Sequence, residues 1–164
     1  MGKLTLLLGG ARSGKSTFAE KRAMEIGGDK VLYLATSEIK DDEMEERVIK
    51  HRAERPSAWE TVEAPRNVAQ AIRQARSEAS VILLDCMTFL VANHLMDAAA
   101  PEKDPFDDLS ADPFDRKIER EIVAEVEALI AYVQETDVEL IVVSNEVGLW
   151  LVPAHDLWRT YRDI

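Results

Sequence analysis

The sequence predicts an α/β domain, a mainly parallel sheet flanked by helices. Two observations carry that expectation. Short aliphatic runs alternate with longer stretches of helical periodicity, and a glycine-rich turn joins the first run to the first helix. With 164 residues, 46% of them hydrophobic and 31% charged, the chain has the length and balance of one domain, spanning 1–164, with a packed core.

Leu4–Leu8 is an unbroken apolar run and reads as a buried strand. Residues 15–26 follow as a helix, and Val31–Ala35 forms the next strand. Residues 41–53 read as a helix that opens with Asp41, Asp42 and Glu43 and closes with Lys50, His51 and Arg52, charges that oppose a helix dipole. A weaker strand is expected at Trp59–Val62, between Pro56 and Pro65, and then a helix over 66–77. Val81–Leu84 and Leu140–Val143 are two further compact aliphatic strands. Between them, residues 98–113 carry Pro101, Pro105 and Pro113 among acids and read as a surface loop. The helix expected over 114–135 spaces Ile118, Ile122, Val126, Leu129, Ile130 and Val133 along one face.

The 31 acids outnumber the 20 bases, and the formal charge of −11 repels nucleic acid and anionic membranes at long range. The charge is segregated: residues 101–127 hold ten acids against four bases, whereas residues 1–30 hold six bases against three acids. Cys86 is the only cysteine, so an intrachain disulfide is excluded. Leu4–Leu8 is too short for a signal-peptide core, and no run approaches the roughly 20 apolar residues of a membrane span. A cytoplasmic protein with neither a nucleic-acid partner nor membrane insertion is expected.

Gly9-Gly10-Ala11-Arg12-Ser13-Gly14-Lys15-Ser16 satisfies G-x-x-x-x-G-K-[ST], the phosphate-binding loop of P-loop NTPases. The flanks agree with it, a strand before and a helix after, because backbone N–H groups and a helix N-terminus supply the partial positive charge that receives phosphates. In that pattern Lys15 reaches the β- and γ-phosphates and Ser16 holds Mg²⁺. Val81-Ile82-Leu83-Leu84-Asp85 ends an aliphatic strand in a carboxylate, which makes Asp85 the second Mg²⁺ candidate. The guanine signature N-K-x-D is absent, since Asn145-Glu146-Val147-Gly148 does not supply it, and a signalling GTPase is disfavoured.

Met44, Val48 and His51 fall at i, i+4 and i+7, so the imidazole of His51 shares the apolar face of its helix. By itself this residue also reads as part of a basic helix end, and His94 and His155 read as structural. Lys50 lacks the K-x-D-G context of a nucleotidylated lysine. From the residues alone the chain reads as a P-loop nucleotide-binding protein, either a kinase of a small hydroxylated molecule or a non-catalytic nucleotide-binding regulator.

Beyond the phosphate loop, Tyr33-Leu34-Ala35-Thr36-Ser37, then Asp41 to Met44 with Arg47, His51-Arg52 and Arg55-Pro56, then Trp59, Thr61 and Glu63 run in order. Asp85-Cys86 with Thr88, Asn93 and Leu95, and Asn145 to Gly148 with Val152-Pro153 and Arg162-Asp163, complete the pattern. Through these residues the chain resembles, nearly end to end, the bifunctional adenosylcobinamide kinase/adenosylcobinamide-phosphate guanylyltransferases of cobalamin biosynthesis. The resemblance implies a RecA-related fold, a homotrimer, and two reactions. A nucleoside triphosphate, ATP or GTP, phosphorylates a hydroxyl of adenosylcobinamide. GMP from GTP is then attached through a covalent guanylyl-histidine, giving adenosylcobinamide-GDP and pyrophosphate. His51 matches that histidine, and Arg47, Lys50, Arg52 and Arg55 would offset phosphate charge around it. Ala35, Thr36, Ser37, Arg52, Arg55, Glu63 and Asp85 match nucleotide contacts. Two departures stand out: Trp150 replaces a small residue of the family pattern, and the pattern continues past Ile164 with a G-R-x-N-Q segment and a last strand, which this domain is expected to lack.

Overall fold

The computed structural model describes residues 1–10, 12–38, 49, 52–53, 55–98 and 116–146. Five strands, β1 (Lys3–Gly9), β2 (Val31–Ala35), β3 (Glu60–Glu63), β4 (Val81–Asp85) and β5 (Glu139–Asn145), form one sheet. Four helices with both ends among the described residues accompany them: α1 (Lys15–Gly27), α2 (Val68–Ala75), α3 (Met87–Ala98) and α4 (Arg116–Glu135). The expected helix over 41–53 lies outside the described residues except for 49, 52 and 53, which are helical, and residues 99–113 of the expected loop lie outside them as well.

The sheet order is β1-β5-β4-β2-β3 and every pairing is parallel. All strand carboxyl ends therefore share one edge. The step from β1 to β2 runs one way along the sheet, while the steps from β3 to β4 and from β4 to β5 run the other way. Right-handed crossovers then put α1 on one face and α2, α3 and α4 on the opposite face. Packing agrees: Ala19 and Ala23 of α1 join Tyr33, Leu83, Ile141 and Val143. On the other face Val68, Ile72, Leu90, Leu129 and Val133 meet Leu32, Leu34, Leu84 and Val142. The outgoing chains of β2 and β4 lead in opposite directions along the sheet, to β3 and to β5, which makes their carboxyl ends the switch point where open α/β sheets bind ligands.

Three expectations need correction. Leu4–Leu8 was expected to be buried, but β1 is at the edge among the described strands, and Leu4, Leu6 and Leu8 are 47%, 51% and 63% exposed. An apolar run reads the same in a central strand and an edge strand, and only Leu7 turns its side chain into the α1 layer. Helix α3 was not anticipated at all. Its residues pack into all three core clusters, so it is apolar nearly all round and shows no amphipathic stripe to find. In α4, Ile130 is exposed and Glu125 takes the inward position instead. Its Oε1 accepts a 2.7 Å hydrogen bond from the backbone N–H of Val68 and so caps α2, whose own N-cap Asn67 makes no side-chain capping bond. Its Oε2 lies 2.5 Å from His94 Nε2.

Candidate functional site

The loop between β1 and α1 turns on two glycines. Gly14 has φ 82°, the left-handed conformation that an L side chain resists. At Gly9 a Cβ would come within 2.8 Å of Ser13 Oγ. The loop is closed by Ser13 N–H donating to Gly10 O at 3.3 Å, and Lys15 Nζ folds back across it to Gly10 O at 3.0 Å. Arg12, Ser13 and Gly14 are exposed, and Ala11 lies outside the described residues. Helix α1 starts with no side-chain cap and no acid in its first turn, so its unpaired N–H groups and positive dipole end are uncompensated. Such an end accepts a phosphate group. On the neighbouring strand, Glu146 N–H donates to Gly9 O at 3.0 Å and Asn145 N–H to Thr88 Oγ1 at 2.8 Å, tying the end of β5 to both the loop and α3.

Asp85 ends β4, level with Ala35 of β2 and Val143 of β5. Its Oδ2 accepts a 2.8 Å hydrogen bond from the Tyr33 hydroxyl. The Arg55 guanidinium stacks 3.3 Å from the centre of the Tyr33 ring, and its Nε lies 3.8 Å from Glu20 Oε1 of α1. Burial, followed by the charge of Asp85, pushes the Tyr33 hydroxyl far above its ordinary range, so it remains a neutral donor. Burial also pushes the Cys86 thiol up, which keeps it protonated and removes it as a nucleophile.

Thr36 is fully buried, and its hydroxyl serves the backbone: Oγ1 donates to Cys86 O at 2.7 Å and accepts from Cys86 N–H at 2.9 Å. Asn93 of α3, also buried, donates from Nδ2 to Thr36 O at 2.8 Å and to Pro65 O at 3.0 Å. Arg66 reaches Glu38 Oε1 at 2.6 Å, Asp97 Oδ2 at 2.6 Å and Asn93 O at 3.0 Å. The segment after β2 is thereby pinned to the Asp85–Cys86 turn and to α3. Replacing Thr36 with Val should lower stability in urea unfolding by about 1–3 kcal/mol, because it orphans two buried backbone groups at once. An unchanged midpoint would mean that the hydroxyl is not what holds the turn.

The carboxyl edge of the sheet thus carries Gly9, Gly10, Gly14, Lys15 and Ser16, from the loop and first turn of α1, together with Ala35, Thr36 and Ser37 at and after the end of β2 and Asp85 at the end of β4. Arg55 joins them through Tyr33. Glu63 stands exposed at the end of β3 beside Ala35, and Arg52 is exposed on a helical residue. His51, Arg47 and Lys50 lie outside the described residues, as do Val147, Gly148 and Trp150. Ser16 and Asp85 offer hydroxyl and carboxylate oxygens, the hard donors that Mg²⁺ takes, and among the described residues no three His, Cys, Asp or Glu side chains form a cage. That donor set fits a cation held mostly by phosphate and water. Sequence reasoning gave no role to Tyr33, Thr88, Asn93 or Glu20. Their part depends on which strands and helices become neighbours, and no spacing along the chain reports that.

A family model described as cobinamide kinase / cobinamide phosphate guanyltransferase matches residues 5–164. The bifunctional adenosylcobalamin biosynthesis proteins CobU of Escherichia coli and of Salmonella typhimurium are each 41% identical over 162 residues, 98% of this chain and 84% of theirs. The corresponding protein CobP of Pseudomonas aeruginosa is 39% identical over 158 residues, 96% of this chain and 80% of its own. Among solved structures the RadB recombinase superposes with a TM-score of 0.52 at 17% identity, over 88% of this chain and 61% of that one, a likeness of RecA-like P-loop fold alone.

Proposed function

Because the chain belongs to the cobinamide kinase / cobinamide phosphate guanyltransferase family, we propose that it carries out two successive group transfers on a corrinoid substrate, adenosylcobinamide. The observation that carries this reading is an uncapped, acid-free helix N-terminus at Gly14 and Lys15, with the Asp85 carboxylate on the same edge of the sheet. Residues 1–164 act as a single kinase and guanylyltransferase domain.

In the first transfer the triphosphate of ATP or GTP lies along Gly9 to Ser16. The acceptor hydroxyl oxygen attacks the γ-phosphorus, the bond from that phosphorus to the β-phosphate oxygen breaks, and the nucleoside diphosphate leaves as the hydroxyl proton is lost. Lys15 and the N–H groups of the loop meet the charge on the phosphate oxygens. A Mg²⁺ ion bound with the triphosphate would be held by Ser16 and Asp85 and would neutralise part of that charge.

In the second transfer the neutral imidazole of His51 attacks the α-phosphorus of GTP and pyrophosphate leaves. A phosphate oxygen of adenosylcobinamide phosphate then attacks the same phosphorus, the P–N bond breaks, and adenosylcobinamide-GDP forms with the imidazole restored. Two displacements replace one direct encounter between polyanions. Arg52 and Arg55, together with Arg47 and Lys50, supply the cationic surroundings, and Ala35, Ser37 and Glu63 border the nucleotide, with the buried Thr36 holding the turn behind them. We further propose a cytoplasmic homotrimer as the working form; no described helix is long and apolar enough to cross a membrane.

The test is product analysis with adenosylcobinamide, ATP, GTP and Mg²⁺. The expected course is adenosylcobinamide phosphate first, then adenosylcobinamide-GDP in step with pyrophosphate. Accumulation of the phosphate alone would reduce the protein to a kinase, and nucleotide binding with no turnover would reduce it to a regulator.

A further inference from the structure

Tyr33 is the one polar side chain within the run Val31–Leu34 of β2, and it is only 3% exposed. A buried phenol needs a partner for its O–H, and a phenylalanine would fill the same volume without that requirement. The partner is a single carboxylate oxygen, Asp85 Oδ2, at 2.8 Å. Tyr33 and Asp85 come from neighbouring strands, and the register that sets Ala35 level with Asp85 puts Tyr33 diagonally across from it on the same face. The phenol itself is held from the other side. The Arg55 guanidinium sits over its ring, 3.3 Å from the centre, on a side chain only 8% exposed whose Nε lies 3.8 Å from Glu20 of α1.

We propose that Tyr33 is the positioning residue for Asp85: its hydroxyl occupies Oδ2, fixes the plane of the carboxylate, and leaves Oδ1 as the oxygen turned to a divalent cation bound with the nucleotide. Groups one step removed from a metal orient its ligands in this way, and their loss typically weakens metal binding by about 10–100-fold. Arg55 extends the arrangement, since it comes from the segment that carries Arg52 and packs on the ring that steadies Asp85. This inference rests on the reading of Asp85 as a cation ligand.

The experiment compares wild type, Tyr33→Phe and Asp85→Asn, with Mn²⁺ as the probe, in the presence of a non-hydrolysable ATP analogue. Free Mn²⁺ is read by electron paramagnetic resonance, and binding of the analogue in EDTA serves as the metal-free reference. Tyr33→Phe keeps the ring and its Arg55 stack. It should weaken Mn²⁺ binding about 10-fold, raise the Mg²⁺ needed for half-maximal phosphoryl transfer by the same factor, and leave the EDTA affinity within about twofold. Wild-type Mn²⁺ affinity in Tyr33→Phe beside a weakened Asp85→Asn would overturn the positioning role alone. Equal losses with and without metal in Tyr33→Phe would also overturn it, as a purely structural effect. Wild-type affinity in Asp85→Asn would remove the cation reading of Asp85 itself.

Discussion

Lys15→Ala is expected to lower kcat/KM for phosphoryl transfer by about 10²–10³-fold, the scale of losing one preorganised charge partner of a reacting phosphate. Guanylyl transfer should fall with it. The ammonium is held over the loop by a 3.0 Å bond to Gly10 O, so it already stands at the proposed phosphate site and little rearrangement of it is expected on binding. The loop's own shape depends on Gly14 at φ 82° and on the Ser13 to Gly10 bond, neither of which involves the lysine side chain. Thermal unfolding should therefore change little while activity collapses. A Lys15→Ala variant with full activity would show that the phosphates bind elsewhere.

His51→Ala should separate the two reactions. Removing a nucleophile that forms a covalent intermediate typically costs about 10³-fold or more, because no neighbouring group takes over the bond. Guanylyl transfer should fall to background, while phosphorylation of adenosylcobinamide, which on the proposed mechanism does not pass through the imidazole, should stay within about threefold of wild type. Parallel rate measurements on the two half-reactions decide the matter, and an equal loss in both would mean that the histidine supports the fold or a common substrate site.

What could be read from the sequence divides along physical lines. The strand, loop and helix around Gly9 to Ser16 were legible because their chemistry is local: glycine torsions, a lysine and a helix N-terminus follow one another in the chain. Asp85 was legible for the same reason, as the last residue of an aliphatic run. Strand order was not legible. The edge position of β1, and with it the exposure of Leu4, Leu6 and Leu8, depends on β5 entering between β1 and β4 from far along the chain. Helix α3 was hidden because it is buried on several sides, and the polar partners of the site, Asn93 on Thr36 and Tyr33 on Asp85, are separated from them by 57 and 52 positions. Glu125 counted as one more acid in a negative stretch, yet it is the inward-facing cap of α2 and the partner of His94. The net charge of −11 likewise describes the far field of the molecule, whereas the proposed phosphate site depends on backbone N–H groups and a few cations.

The most direct test of the account is to incubate the protein with GTP labelled with ³²P at the α-phosphate, in the absence of the corrinoid, and to digest the washed protein. The account predicts an acid-labile, alkali-stable label confined to the peptide that contains His51, absent from His51→Ala and discharged by adenosylcobinamide phosphate. A protein that converts adenosylcobinamide phosphate to adenosylcobinamide-GDP without ever carrying the label, or that carries it undiminished in His51→Ala, would contradict it.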